Sequence, residues 1–331
     1  MTSYSKDDFL GTRVLVTGGT GFMGSAVIEE LLSQTGVESV CSISRRWDDS
    51  EKLARKLGDT RFYYQNGDIR DASFVNRVVR DGDFDVIIHA AAYKSVPSAQ
   101  TNPEECIGVN TKGSINVANA AKNHDVKAVV GISTDKACEP INVYGQTKAI
   151  MEQVFVNSVT DKTNFLVCRY GNVVGSTGSV IPLFIEQLKQ GKPLTVTDPD
   201  MTRFWFPKKG AVDFVLMTAG LALNNEHRGK VLVPDLRSIR MGRLADYMCF
   251  VWGQRLGKAC AGVSVVGPRG GEKVHELMIG ANEDKSNMYF ISSERELING
   301  LGIPFSSENQ VVSGFDDIDA ILNDYWLEVT G

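Results

Sequence analysis

The sequence predicts an α/β fold: a doubly wound parallel sheet, covered by helices on both faces, with a smaller C-terminal α/β lobe. Three observations carry this expectation. Short apolar runs alternate with stretches of helical spacing over the first half of the chain. The runs are continuously apolar, as strands buried on both faces are, not alternating like a one-sided sheet. A glycine cluster separates the first run from the first helical stretch.

The elements follow in order. Arg13 to Thr17 is the first strand, and Ser25 to Ser33 has helical spacing through Val27, Ile28, Leu31 and Leu32. Ser39 to Ile43, Arg61 to Tyr64, Phe84 to His89, Ala128 to Ile132 and Asn164 to Cys168 are strands two to six. After about Gly171 the alternation fades, and prolines at 182, 193, 199, 207, 234 and 268 punctuate shorter elements. Residues 1–171 are therefore expected to form a nucleotide-binding domain. Residues 172–331 are expected to form mainly a substrate lobe, interleaved with the last elements of the core. There is no internal repeat and no low-complexity segment.

Composition limits what this chain does. Its 331 residues suit two domains, or one core with a lobe, at roughly 100–200 residues per domain. A 43 % hydrophobic content excludes wholesale disorder. The charge of −5, from 35 basic and 40 acidic residues, argues against a nucleic-acid partner. No apolar run approaches ~18 residues and the N-terminus has no apolar signal core, so neither a membrane span nor export is expected. Six scattered cysteines without CxxC pairs read as reduced thiols of a cytoplasmic protein, and no spacing suggests a metal site.

The glycines of Val14-Leu-Val-Thr-Gly18-Gly-Thr-Gly21-Phe-Met-Gly24 have the spacing GxxGxxG. Between a strand and a helix, such glycines permit a tight turn and bring backbone N–H groups and a helix N-terminus to a pyrophosphate. This makes the sheet Rossmann-type. About 20 residues on, a carboxylate would select the 2′-hydroxyl of NAD. Here the second strand ends in Ser44-Arg45-Arg46, which suits the 2′-phosphate of NADP and makes NAD the second choice. The competing reading of Arg45 and Arg46 is solvated strand-end charge. Asp68, in Gly67-Asp68-Ile69, suits either an adenine amino group or the cap of the next helix.

Tyr144 and Lys148 stand at i and i+4, on one face of a helix. A lysine cation beside a phenol favours phenolate, lowering its pKa from ~10, so that tyrosine can take a hydroxyl proton as hydride leaves.

Together these motifs resemble the extended short-chain dehydrogenase/reductase superfamily over about residues 11–280. Local strings narrow the resemblance: His89-Ala-Ala-Ala-Tyr93-Lys94, Asn110-Thr-Lys-Gly113, Ser133-Thr134-Asp135-Lys136-Ala137, Gly171-Asn172-Val-Val-Gly175, Asp198-Pro-Asp-Met-Thr202-Arg203 and Gly271-Glu-Lys-Val-His275-Glu276. In that order they resemble the C5-inverting UDP-N-acetylglucosamine 4,6-dehydratases of polysaccharide biosynthesis. The retaining relatives carry Asp-Glu where this chain has Asp135-Lys136, and 4-epimerases lack the pair. The resemblance implies that Tyr144, Lys148 and Thr134 handle the C4 hydroxyl. It makes Lys136 the base at C5 and Asp135 the acid at the C6 oxygen, which calls for a lowered lysine pKa and a raised aspartate pKa, whereas an ion pair between these two neighbours, the other arrangement open to them, opposes both shifts. Gly18, Thr20, Gly21, Phe22, Met23, Gly24, Ser44, Arg45, Arg46, Asp68, Ile69, Ala90, Ala91 and Ala92 would hold the cofactor with Tyr144 and Lys148. Lys94, Asn172, Arg203, Arg269 and Glu272 would hold the UDP-sugar, with His275 and Glu276 near the uridine. A homo-oligomer, dimer or hexamer, is implied. A 5,6-dehydratase, a retaining dehydratase, a 4-epimerase or a non-catalytic NADP-binding protein are the alternatives on the same scaffold. Thr177, Trp205 to Lys209 and Gly267 to Gly271 depart from the family pattern on the substrate side, leaving the sugar itself open.

Overall fold

A computed structural model of the chain describes residues 4–291, 297–299 and 304–330. The expected runs form β1 (Arg13–Thr17), β2 (Ser39–Ser44), β3 (Phe62–Asn66), β4 (Val86–His89), β5 (Ala128–Ile132) and β6 (Asn164–Cys168). Three later strands join them: β7 (Lys230–Pro234), β8 (Met288–Ile291) and β9 (Leu297–Asn299). The sheet order is β9-β8-β7-β6-β5-β4-β1-β2-β3. Eight strands pair in parallel. β9 departs from the expected parallel sheet by running antiparallel to β8. Five residues separate the two in sequence, too few for a parallel crossover.

The helices are α1 (Phe22–Gln34), α2 (Trp47–Leu57), α3 (Ala72–Gly82), α4 (Gly113–Asn123), α5 (Val143–Val156), α6 (Val180–Lys189), α7 (Lys208–Leu223) and α8 (Phe315–Thr330). α1 and α7 pack together on one face of the sheet, and α3, α4 and α5 pack side by side on the other. The main core therefore joins Val14–Val16, Val86–Ile88 and Val129–Val130 to residues far along the chain, such as Val215, Leu232 and Phe290. A second core gathers Phe184 and Leu188 of α6 with Trp205, Tyr247, Trp252 and Ile318. The C-terminal lobe is built around this second core, while α7, β7 and β8 return to the first.

β1 sits between β4 and β2, where strand order reverses. Loops after β1 and β4 leave in opposite directions there and open a crevice at the carboxyl ends of the strands. A buried chain of hydrogen bonds locks this point. Ala91 N–H donates to Thr17 Oγ1 (3.3 Å), Thr17 Oγ1 meets His89 Nδ1 (2.8 Å), and His89 Nε2 meets Ser114 Oγ (3.0 Å). Ser114 Oγ donates in turn to the Asn110 carbonyl. Burial lowers the His89 pKa to about 3, so the imidazole is neutral and serves as a tie.

One expectation about the cysteines is corrected. Cys249 and Cys260 form a disulfide, because the chain doubles back after the π-helical turn Met248–Trp252 and brings their Cα atoms to 5.2 Å. Cys41, Cys106, Cys138 and Cys168 are free and buried. Among the described residues, no helix is long and apolar enough to cross a membrane, and no cluster of side chains could hold a metal ion.

Candidate active site

The crevice deepens into a cavity of about 610 Å³ whose floor is the turn after β1. Gly18 stands at φ +71°, and a Cβ there would meet backbone atoms of Ala91 at 2.7 Å. A Cβ on Gly24 would lie 2.3 Å from the Gly18 carbonyl oxygen. Both glycines are thus fixed by close backbone approach, one to β4 and one within the turn. α1 starts from Gly21, which supplies no side-chain cap, so the first amides of the helix keep their donors for an anion at the cavity edge. Thr20, Phe22, Met23, Ala90, Ala91 and Ala92 line the same cavity. These residues fit a dinucleotide laid across the carboxyl ends of the strands.

At the ribose end, Ser44 closes β2 and accepts from Thr20 N–H at 3.3 Å. Ser44, Arg45, Asp68 and Ile69 line the cavity. Arg45, its side chain 60 % exposed, stands 3.6 Å from Glu105, a carboxylate that Arg70 holds more closely at 2.6 Å. Arg46 turns out to Asp49, with Nε 2.6 Å from Oδ2, and is outside the cavity lining. As the residue that starts α2, it meets an acid of that helix's own first turn. Asp68 does not cap α3; Asp71 does, accepting from Ser73 and Phe74 N–H. Asp68 instead holds Arg70 through Oδ2, 2.6 Å from Nη2, and that guanidinium keeps its carboxyl below the usual range.

The chemistry gathers where β5 ends. Thr134, Lys136, Tyr144 and Lys148 all line the cavity. Thr134 Oγ1 donates to Asp135 Oδ1 at 2.9 Å, and Lys136 Nζ donates to the same oxygen at 3.0 Å. Asp135 is fully buried behind them, and its Oδ2 has no hydrogen-bond partner. Asn142 starts α5 by accepting from Gly145 N–H, which aims Tyr144 and Lys148 at the loop. Two expectations are corrected here. Burial pushes the Tyr144 pKa up to about 12, and Asp135 adds to the rise, while Lys136 and Thr134 pull the other way. Burial alone would depress Lys136, but Asp135 and Glu276 outweigh it and hold the ammonium above its ordinary pKa. Lys148 is the lysine that burial lowers, to about 8.

At the far end of the cavity stand Lys94, Asn172 and Ser176 to Ser179. Lys94 donates to the Thr177 carbonyl at 3.1 Å, and burial lowers its pKa. Arg203, Arg269 and Glu272 are outside the cavity lining. Arg203 is spent on the carbonyls of Thr202 and Val274. Glu272 accepts from the backbone N–H of Arg269, closing a local turn.

Three groups that matter were given no part in the proton chemistry from sequence. Glu276, expected near a uridine, lies instead with Oε1 3.3 Å from Lys136 Nζ. Asn110, in the π-turn Gly108–Lys112, accepts from Tyr93 N–H (2.7 Å) and donates to Thr147 Oγ1 (3.0 Å), pinning the β4 loop to α5. Glu152, one turn beyond Lys148, accepts from Ser133 Oγ (2.5 Å) and Arg169 Nε (3.0 Å). Arg169 also grips Glu283 at 2.7 Å; burial opposes its charge, but the two carboxylates hold its pKa well above the usual guanidinium value. Only spacing within α5 could have hinted at Glu152; Glu276 and Asn110 stand in the local strings, but nothing local marks their contacts.

Comparison with known proteins places this geometry. The family model described as "Polysaccharide biosynthesis protein" matches residues 14–294. A UDP-N-acetylglucosamine 4,6-dehydratase (inverting) of Campylobacter jejuni is 36 % identical over 300 residues, 88 % of this chain and 85 % of that protein. A UDP-glucose 4-epimerase of Rickettsia bellii is 34 % identical over 96 % of this chain and 91 % of its own length. Among solved structures, that of Pen from Bacillus thuringiensis superposes with a TM-score of 0.86 at 28 % identity, covering 96 % of this chain and 99 % of that one. With its glycine turn, its Tyr–Lys helix and a family match running from β1 to beyond β8, the chain belongs to the polysaccharide biosynthesis protein family, built on the short-chain dehydrogenase/reductase fold.

Proposed function

We propose that this chain is a nucleotide-sugar 4,6-dehydratase. It would convert UDP-N-acetylglucosamine to UDP-2-acetamido-2,6-dideoxy-4-keto-hexose with inversion at C5, using tightly held NADP. The observation that carries the reading is the Asp135–Lys136 pair: Lys136 lines the cavity with Tyr144 and Lys148, and Asp135 is buried directly behind it, 3.0 Å from its ammonium. The 36 % identical inverting dehydratase supports it.

The residues divide the work as follows. Tyr144 would take the proton of the C4 hydroxyl as phenolate, after its own proton has passed to solvent, a form that the nearby Lys136 cation favours, and Thr134 would orient that oxygen. A nicotinamide dinucleotide, held by the Gly18–Gly24 turn, Tyr144 and Lys148, would supply a hydride acceptor for C4 and a hydride donor for C6. Lys136 must shed a proton before it can take one from C5, and Asp135 is 3.0 Å away to receive it. That single transfer makes the base and the acid together: an amine to take the C5 proton, and a carboxylic acid to protonate the departing C6 oxygen. Ser44 and Arg45 favour a 2′-phosphate on the cofactor, with Arg46 taking no part. Lys94 and Asn172 suit the sugar diphosphate.

The epimerase relative supports a second reading, 4-epimerisation. It leaves Asp135 and Lys136 without a task, because no C–O bond breaks. One incubation separates the two: UDP-N-acetylglucosamine with the purified protein in D₂O, no cofactor added, followed by mass spectrometry and proton NMR. The expected product is lighter by one water, with a C6 methyl, deuterium at C5 and inverted C5. An isobaric product would establish epimerisation, and an exocyclic alkene without a methyl would establish a 5,6-dehydratase. Unchanged substrate, with NADP supplied, would remove this sugar.

A further inference from the structure

Lys136 is held by two carboxylates, and only one of them is its chain neighbour. Glu276 comes from a segment 140 positions away in sequence, is 2 % exposed, and places Oε1 3.3 Å from Lys136 Nζ. Its backbone N–H is fixed by Ser307 Oγ at 2.9 Å, and Ser307 is tied in turn to Thr202. Its Oε2 is buried with no hydrogen-bond partner among the described residues. Lys273 stands 3.9 Å from that oxygen and is occupied by the Cys138 carbonyl at 2.6 Å. A buried carboxylate is retained at a cost unless it is paired, and of its two lysine partners Lys136 is the nearer, at 3.3 Å against 3.9 Å for Lys273.

We propose that Glu276 is a positioning residue for Lys136: it holds Nζ at the cavity wall and sets the pH at which that amine gives up its proton. The proposal rests on the dehydratase reading for its use, since that reading makes Lys136 the group that exchanges a proton with C5. The other charged or titratable groups that face Lys136 are Asp135 on the same loop, Tyr144 from α5 and Arg203 from the strand Thr202–Phe206. Those that face Glu276 are Lys136 and Lys273. Within this set Asp135 and Glu276 supply the negative charge, so removing Glu276 halves it. An opposite charge at this range shifts a pKa by about 1–3 units.

Lys136 lines the cavity, so its reactivity can be measured without any sugar. The intact protein and its Glu276→Gln variant are labelled with acetic anhydride across pH 6 to 11, and acetylation of the Lys136 peptide is quantified by mass spectrometry. Glutamine keeps the size and an acceptor oxygen but not the charge. The expected result is that Lys136 becomes reactive about 1–3 pH units lower in the variant, while surface lysines are unchanged. Glu276→Asp, which keeps the charge, should move the profile by less than half of that. Coincident profiles for Glu276→Gln and the unaltered protein would overturn the proposal. So would an equal shift in Glu276→Asp, which would mark a packing effect. Failure of the dehydratase reading would leave this labelling result untouched. If turnover is found, the acid limb of its pH profile should move down with the labelling profile.

Discussion

Replacing Lys148 by methionine should stabilise the cofactor-stripped protein at neutral pH, although it removes a group assigned to turnover. Lys148 is 2 % exposed, and burial lowers its pKa from 10.5 to about 8, with Glu152 and Cys106 opposing that change. Between pH 8 and 10.5 the unfolded chain still binds a proton that the native state has shed, so stability rises with pH across that window. Below pH 8 both states are protonated and the native state bears the whole cost of the buried ammonium. At roughly 1.36 kcal/mol per pH unit, that cost is about 3 kcal/mol. Methionine fills a similar volume without the charge, and Glu152 keeps Ser133 and Arg169 as partners. Urea unfolding of both proteins, followed by circular dichroism at pH 7 and pH 10.5, measures the difference. Lys148→Met should lead by about 3 kcal/mol at pH 7 and by almost nothing at pH 10.5. A variant less stable at pH 7, or one with the same lead at both pH values, would refute the reasoning.

Three further outcomes are expected. Arg45→Ala should weaken NADP binding by about ten- to a hundredfold, the worth of a hydrogen bond to a charged group, with little effect on NAD. Arg46→Ala should change neither by more than about twofold, because Arg46 is committed to Asp49; titration calorimetry with both dinucleotides reads the contrast. Arg169→Met leaves Glu152 and Glu283 facing each other unpaired and should cost about 3–5 kcal/mol in urea unfolding, with a loss below about 1 kcal/mol counting against the buried network.

Much of the molecule is local and so was legible in the chain. Runs such as Ala128–Ile132 are apolar throughout because both faces of a parallel strand are buried, and their bounds were set by composition alone. The glycine turn was legible because only glycine tolerates a positive φ at Gly18 and the contact at Gly24. Tyr144 and Lys148 are linked by helical spacing, and Asp135 and Lys136 by adjacency. These features determined the sheet, the nucleotide end and the two pairs offered for chemistry.

The tertiary structure decided what each charge faces. Arg45 and Arg46 are indistinguishable as neighbours, yet one lines the cavity and the other salt-bridges to α2. Arg203 reads as a phosphate clamp, while in the fold its Nη1 meets the carbonyls of Thr202 and Val274 and its Nη2 meets Met201 Sδ. The pKa directions of Tyr144 and Lys136 reversed because burial and a second carboxylate enter only with the fold. Glu276 reaches Lys136 across 140 positions through the pairing of distant segments. Periodicity and adjacency are short-range and can be read along the chain. Desolvation and Coulomb interactions act through space and depend on which segments are brought together.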